Sequence, residues 1–439
     1  MRDIAVTLAV FGALPFILWR PWIGILVWTW LGFMNPHRLA WGFSVTMPFA
    51  MIVAVTTLVA MVMSREEKKI PWTRELVLMA VLWAWMLVTT LMALYPVLAW
   101  EQLEKVSKIF LMIYVAAMLI NTRERLIALV WVIALSLGFY GVKGGIFTIT
   151  TGGAYQVRGP AGSFISENNE IGLALAMTVP FLFFLGRHAP KKYLSPWMLA
   201  AAVLTAFAAL GTQSRGALLG LGAMTVFLWL KSRSKILTGI LIALFVAIAL
   251  PMLPESWHER MESIKDYEQD ASALGRINAW WMAFNLATHR LTGGGFSSFQ
   301  PASFWQYAPE PDRVHDSHSI YFQMLGHHGF IGLALFLLLL FFTWITASSI
   351  IRAAKRNKAT IWLRDLMAAV QVSLIAYMST GAFLGLAYFD YFYNLVLIVV
   401  IGKLVLHSFP AYDKEAEAVP AEPIPSQDAR TAAPAVRRL

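Results

Sequence analysis

Apolar stretches close to the length of a bilayer-spanning helix follow one another almost without pause along this chain, and they leave few folds open. They fall at about 4–18, 22–34, 42–63, 75–95, 106–120, 126–150, 169–187, 195–212, 215–231, 235–252, 329–351, 365–385 and 388–408. Hydrocarbon offers the backbone no water to bond, so a spanning segment must satisfy its own N–H and C=O groups, as a helix of about 20 residues does. The runs are continuous rather than alternating in strands of about ten residues, which sets a β-barrel aside. Charged residues make up 14% of the chain, against roughly a quarter in soluble domains. The expectation is an all-α, polytopic helical integral membrane protein with about 12 transmembrane helices. The first two runs are short and divided by Arg20-Pro21, so they read either as one broken span or as a hairpin of two. Ile4–Leu18 lacks a basic n-region of any length and a convincing small-residue cleavage site, so it reads as a span rather than a removed leader.

Cysteine is absent, which excludes disulfides, thiolate chemistry and cysteine-held metal clusters. The formal net charge of +10 would suit nucleic acid, but its distribution suits a membrane better, and no nucleic-acid partner is expected. Arg65, Lys68, Lys69 and Arg74 share one connection; Arg123 and Arg125, another; then come Arg187, Lys191 and Lys192; Lys231, Arg233 and Lys235; and Arg352, Lys355, Arg356, Lys358 and Arg364. Every cluster lands on one side if each run after residue 42 crosses once, and lysine and arginine are retained on the cytoplasmic side. The alternate connections, 35–41, 96–105, 151–168, 211–215, 253–328 and 386–387, are then outer. Four regions follow: membrane helices over 1–252, an outer and mostly helical segment over 253–328 between two late spans, membrane helices over 329–410, and a cytoplasmic tail over 411–439. The tail is Ala/Pro/Glu-rich without apolar period and reads as disordered.

The outer segment is the longest polar interval in the chain. It opens with Glu255, Glu259, Glu262, Asp266, Glu268 and Asp270. Helical spacing appears over Ser263–Asp270 and Leu274–Thr288, Gly293-Gly-Gly295 ends the second of these, and Pro301, Pro309 and Pro311 read as keeping 300–313 irregular. A further helix is expected to start near Asp316 or Ser317 and to run through His318, Tyr321 and Phe322 towards the membrane.

Outer connections far apart in sequence each carry an arginine: Arg158 in 151–168, Arg215 in Gly211-Thr-Gln-Ser-Arg215-Gly216, and Arg276 at the start of the helix bearing Trp280 and Trp281. Each alone also reads as a headgroup, loop or helix-surface charge. Together they suit a phosphate, because the guanidinium fork stays protonated and donates paired charged hydrogen bonds. Lys105 and Lys108 can add to such contact, or simply pair with Glu101 and Glu104. His318 is the candidate proton acceptor, with a helix-start or surface histidine as the plainer reading. His315, His318, His327 and His328 raise the question of a metal, but no acidic or cysteine ligand completes a set at a recognisable spacing, so neither metal nor cofactor is expected. For Trp280, Trp281, Trp305 and Tyr307 the interface belt is the better reading, with stacking on sugars the other.

These residues carry a resemblance. His318-Ser-Ile-Tyr321-Phe-Gln323-Met-Leu325-Gly-His-His-Gly329-Phe-Ile-Gly332 is similar to a signature of the bacterial O-antigen ligase and polymerase superfamily. Gly275-Arg276, Trp280 and Gly293-Gly-Gly295-Phe296-Ser-Ser-Phe299 resemble its Arg/Trp/Gly-rich stretch, Ser214-Arg215-Gly216 its hairpin, and Arg158, Gly162-Ser-Phe164 and Asn168 its arginine loop. The chain departs from the pattern at His327, where an acid is usual, at Ser319, where asparagine is usual, and at Arg290, near a usual proline. Arg20-Pro-Trp-Ile-Gly and Asn35-Pro-His-Arg-Leu look most like the ligase branch associated with exopolysaccharide loci.

The resemblance implies an inverting, metal-independent glycosyltransferase, an O-antigen ligase of the WaaL kind in lipopolysaccharide biosynthesis. It would sit in the bacterial inner membrane with its active site facing the periplasm. The donor would be a glycan on undecaprenyl diphosphate and the acceptor a sugar hydroxyl of lipid A–core. His318, Arg215 and Arg276 would be catalytic; Arg158, Arg215, Arg276, Tyr321 and Lys105 would bind the donor diphosphate. O-antigen polymerase and protein O-oligosaccharyltransferase use the same donor and stay open. A polysaccharide-related transporter or flippase is the reading from another class. It would want ionisable groups deep in the spans, where Lys143, Asp365 and Asp390 are the only candidates.

Overall fold

The computed structural model describes residues 1–232, 234–249 and 271–409. The acidic run Glu255–Asp270 with its expected helix Ser263–Asp270, Arg233, and the tail from 411 lie outside the described residues. The helices are α1 (Arg2–Trp19), α2 (Pro21–Met34), α3 (Phe49–Met63), α4 (Arg74–Leu91), α5 (Pro96–Leu119), α6 (Arg123–Thr150), α7 (Asn168–Arg187), α8 (Leu194–Gly211), α9 (Arg215–Lys231) and α10 (Lys235–Ala249). They continue with α11 (Ala271–His289), α12 (Pro301–Tyr307), α13 (Ile320–Ala354), α14 (Ile361–Gly381) and α15 (Asp390–His407). Among the described residues, each apolar run of the sequence coincides for most of its length with a helix. Among the described residues, 8 helical stretches are long and apolar enough to cross a membrane, and three shorter apolar ones accompany them. The protein is a polytopic helical membrane protein.

The first two runs form a hairpin. Arg20 is extended, and Pro21 opens α2 at its first position, where a missing N–H leaves no bond unmade. Arg2 Nη1 donates to the Leu39 carbonyl at 3.2 Å, and Asp3 Oδ1 accepts from the Gly42 and Ser44 amides at 3.0 and 3.1 Å. The start of α1 thus lies beside the segment that follows α2. These helices share a small core with α3 built on Val10, Ile17, Leu31, Phe49, Val53 and Ala60. The main core runs through α4–α7 and α13–α15. Its axis is α15, in which every residue from Tyr391 to Gly402 is buried; a helix apolar all round is stable only when covered all round.

The connections gather at two ends. At one, Arg125 forks onto Glu66 at 2.8 and 3.0 Å, and Arg74 reaches Glu75 at 3.0 Å and Thr346 at 2.7 Å. His188 Nε2 lies 2.9 Å from Asp365, and Arg187, Lys231, Lys355 and Arg364 line one cavity. Members of every basic cluster named from the sequence are therefore at this end. At the other, the Leu94 amide donates to the Gly294 carbonyl at 2.8 Å, and the Val157 amide to Gly211 at 2.9 Å. There too Asn168 Nδ2 donates to Thr212 at 3.0 Å, and the Ala387 amide to Gln323 Oε1 at 3.0 Å.

Two local expectations are corrected. Residues 96–105 are not a loop, because Pro96 starts α5, and the connection is Met92–Tyr95. Residues 301–307 are not irregular: Pro301 occupies the first position of α12, where proline's fixed φ favours a helix.

Candidate active site

Helix α11 is the template on which the site is laid. Asn278 is buried and spends its whole amide on the strap ahead of α13. Its Nδ2 donates to the carbonyls of Glu310 and Arg313 at 2.8 and 2.9 Å, and its Oδ1 accepts from the Glu310 amide at 2.9 Å. Trp280 Nε1 donates to the Ser317 carbonyl at 2.7 Å, and its ring stacks on Phe322 with centroids 4.9 Å apart and planes 6° from parallel. Trp280 is therefore internal scaffolding rather than part of an interface belt. Gly275 lets His315 pack close to the helix: a Cβ there would come within 2.8 Å of His315 Cδ2, and the ring would have to move.

This strap delivers His318. The residue is not on the helix, as expected from the sequence, but just before it: α13 starts at Ile320, and the Asp316 carboxylate instead accepts from the Ser317 amide at 2.8 Å. His318 has φ +39°, a left-handed conformation that costs a side-chain-bearing residue about 1–2 kcal/mol. Strain of this kind persists only where the surroundings over-determine it, and the Trp280 bond to the preceding carbonyl is one such constraint. The ring lies 5.0 Å from that of His315, centroid to centroid. Burial pushes the His318 pKa below the ordinary imidazole value; the Asp316 carboxylate opposes that shift, while Arg276 and His315 add to it. The imidazole is thus held neutral near pH 7, with Arg276 and Asp316 both in electrostatic reach.

The glycine turn holds the half-helix that follows the strap. Helix α13 breaks at Gly329 (φ 66°, ψ −170°), a backbone state essentially reserved for glycine. The break leaves carbonyls unpaired at the end of the first half-helix. The Gly294 amide donates to the Gly326 carbonyl and the Gly295 amide to that of His327, both at 2.9 Å, and Ser298 Oγ reaches Gly326 at 3.1 Å. A Cβ on Gly293 would sit 2.7 Å from the Gly329 nitrogen. Arg290 ties the turn down, donating to the carbonyls of Gly293 at 3.0 Å and Met92 at 2.7 Å.

The remaining candidates fall at different distances from this centre. Arg215 begins α9, half-buried, with Ser214 as the cap accepting from the Ala217 amide at 3.2 Å. Its turn and the first turn of α13 pack on the same end of α14: Gly216 abuts Thr380, Gly381 abuts Ile320, and Tyr321 donates its hydroxyl to the Met378 carbonyl at 3.0 Å. Arg158 is exposed on the 151–167 connection, its Nη2 on Gln156 Oε1 at 3.3 Å, beside the backbone bond that ties this loop to Gly211. Lys105 is exposed on α5 beside Glu104. Trp281 and Trp305 are exposed. Arg276 is therefore close enough to His318 for its charge to act on the imidazole, Arg215 is linked to it through shared packing, and Arg158 and Lys105 lie further out.

A polar cavity of about 310 Å³ adjoins the strap, lined by Gln102, Ser297, Phe299, Gln300, Asp316, Gln323 and His327. Of these, Ser297, Phe299, Gln323 and His327 stand in motifs visible in the sequence and Asp316 at the expected helix start; Gln102 and Gln300 come from elements whose meeting nothing in their local pattern announces.

Residues 200–337 match Wzy_C, a family described as O-antigen ligase, and residues 1–190 match DUF5935, a family of unknown function. No curated protein matches the chain. The first match covers Arg215, Arg276, His318 and Tyr321, and it supports a place in the O-antigen ligase and polymerase superfamily, with lipid-linked glycan substrates and a membrane setting.

Proposed function

We propose that the chain is a glycosyltransferase that moves a glycan from undecaprenyl diphosphate to a sugar hydroxyl of lipid A–core, working on the periplasmic face of the bacterial inner membrane. One observation carries this reading most: His318, half-buried and neutral, with the charges of Arg276 and Asp316 acting on it, lies at the end of the bundle that also presents Arg215 and Arg158. The basic clusters gather at the opposite end, and the retention of lysine and arginine in the cytoplasm supports putting His318 outside.

The reaction then runs as one displacement. The acceptor hydroxyl oxygen attacks the anomeric carbon, the bond from that carbon to the diphosphate oxygen breaks, and the diphosphate leaves with the electron pair. The hydroxyl proton passes to His318, which later releases it to water. Attack opposite the leaving group inverts the anomeric centre. Arg276 and Arg215 stabilise charge growing on the diphosphate, where fixed cations act without reorganising, and Arg158 guides the donor at the rim. Tyr321, with its hydroxyl committed to Met378, holds the first turn of α13 in place. Lys105 is an outlying donor contact.

The test combines two measurements. Arg276→Ala and Arg215→Ala should each lower transfer about 10²–10³-fold, the loss typical of one charge-stabilising donor; wild-type turnover in both would remove the reading. In a deletion strain, polymer should persist on the lipid carrier but vanish from lipid A. A single-repeat band on lipid A would instead mean polymerase, and intact lipopolysaccharide with a glycosylated protein lost would mean protein transfer.

A further inference from the structure

The cavity beside the strap differs in chemistry from the arginine side. Its lining holds three primary amides, a hydroxyl, a carboxylate, an imidazole and a phenyl ring, with no lysine or arginine. Asp316 would repel a phosphate there, with no cation in the lining to offset it. An uncharged polyol fits instead: amides and a carboxylate supply paired donors and acceptors for neighbouring hydroxyls, and Phe299 supplies an apolar face. The volume, about 310 Å³, is at the lower end of small-molecule sites, about 300–1,000 Å³, which suits one ring.

A buried chain of hydrogen bonds settles what His327 offers to that cavity. His327 Nδ1 is 2.9 Å from the Tyr388 hydroxyl, which is 2.9 Å from His328 Nε2, and His328 Nδ1 is 2.7 Å from Thr89 Oγ1. Thr89 Oγ1 is also 2.9 Å from the Met86 carbonyl, which can only accept. One direction of protons makes all four bonds. Thr89 donates to Met86, His328 Nδ1–H to Thr89, Tyr388 to His328 Nε2, and His327 Nδ1–H to Tyr388. The reverse direction forfeits the bond to Met86, about 1 kcal/mol. Burial pushes the Tyr388 phenol well above its ordinary pKa, so it keeps the proton it donates. His327 is left with a bare Nε2, and among the described residues that nitrogen has no hydrogen-bond partner.

We propose that this cavity is the subsite for one uncharged sugar ring of the acceptor, a hydroxyl of which donates to His327 Nε2 while Gln102, Gln300 and Gln323 hold the others. Its assignment to the acceptor rests on the reaction proposed above, since Asp316 borders both the cavity and His318; its preference for a neutral ring does not.

The test uses the full chain in nanodiscs and saturation-transfer NMR with methyl glucoside, galactoside and mannoside, glucuronate, and inorganic pyrophosphate. At least one neutral glycoside should receive saturation, glucuronate several-fold less, and pyrophosphate should not displace the glycoside. Gln300→Ala and His327→Phe should each weaken glycoside binding about five-fold, the loss of one hydrogen bond, with pyrophosphate binding unchanged as the control for folding. Nitrogen-15 histidine spectra should show His327 protonated at Nδ1 and bare at Nε2, and Tyr388→Phe should mix the two tautomers. Absence of saturation on every neutral glycoside, equal binding in the variants, or a wild-type His327 protonated at Nε2 would overturn the subsite. If pyrophosphate fails to bind while glycosides do, the arginine reading falls and the subsite stands.

Discussion

At the scale of single residues, the account turns on an imidazole kept neutral by its surroundings. A folded pKa below the ordinary value of about 6.5 means that His318 loses its proton-accepting form only at acid pH. The acid limb of the transfer rate should therefore fall below that value. Asp316 is the charge that favours the imidazolium, so Asp316→Asn should move the acid limb to still lower pH, whatever it does to the maximal rate. An unmoved limb, or one moved upward, would show that the group titrating in the profile is not His318. His318→Gln should cost about 10²–10⁴-fold in turnover, the span usual for a lost general base. The identity of His318 was legible from its motif. Its left-handed backbone was not, because that depends on Trp280 holding the preceding carbonyl from 37 positions away.

At the scale of elements, the first half of α13 and the glycine turn form one unit. Gly329 adopts a state closed to other residues, and a Cβ there would strike the Leu291 carbonyl. Gly329→Ala should destabilise the protein on the order of 3 kcal/mol and abolish transfer, read as a lower melting temperature in detergent. Full stability in that variant would show that the half-helix break is not built into the fold. The spans themselves were readable from apolar length alone. The sequence marked the glycines as breakers but not what they break against, since the carbonyls of Gly326 and His327 meet the amides of Gly294 and Gly295 only in the tertiary fold. Pro301 misled for a related reason: it stops a helix from continuing into it but suits the start of one, and sequence spacing alone does not distinguish the two.

At the scale of the whole molecule, the claim is sidedness. Loops carrying Arg158, Arg215 and His318 share one end and the basic clusters the other. This division was foreseen from charge alone because it needs only the count of crossings. Tyr388, Gln102 and Gln300 were not foreseen, nor that Gln323 would meet them, because no local pattern links α5, the 297–300 segment, α13 and the 382–389 connection. The cysteine-free sequence makes sidedness simple to examine: single cysteines at Ser163 and Asp312 should react in intact cells with a maleimide that crosses only the outer membrane, and one at Lys68 should not. The measurement that bears most directly on the account is transfer by the purified protein in detergent, with EDTA present and no gradient. It uses labelled glycan on undecaprenyl diphosphate and lipid A–core as acceptor. Glycan should appear on the acceptor with one undecaprenyl diphosphate released per transfer and an inverted anomeric centre, and His318→Gln should lose this activity while still binding donor. Transfer by His318→Gln at the wild-type rate would contradict the account.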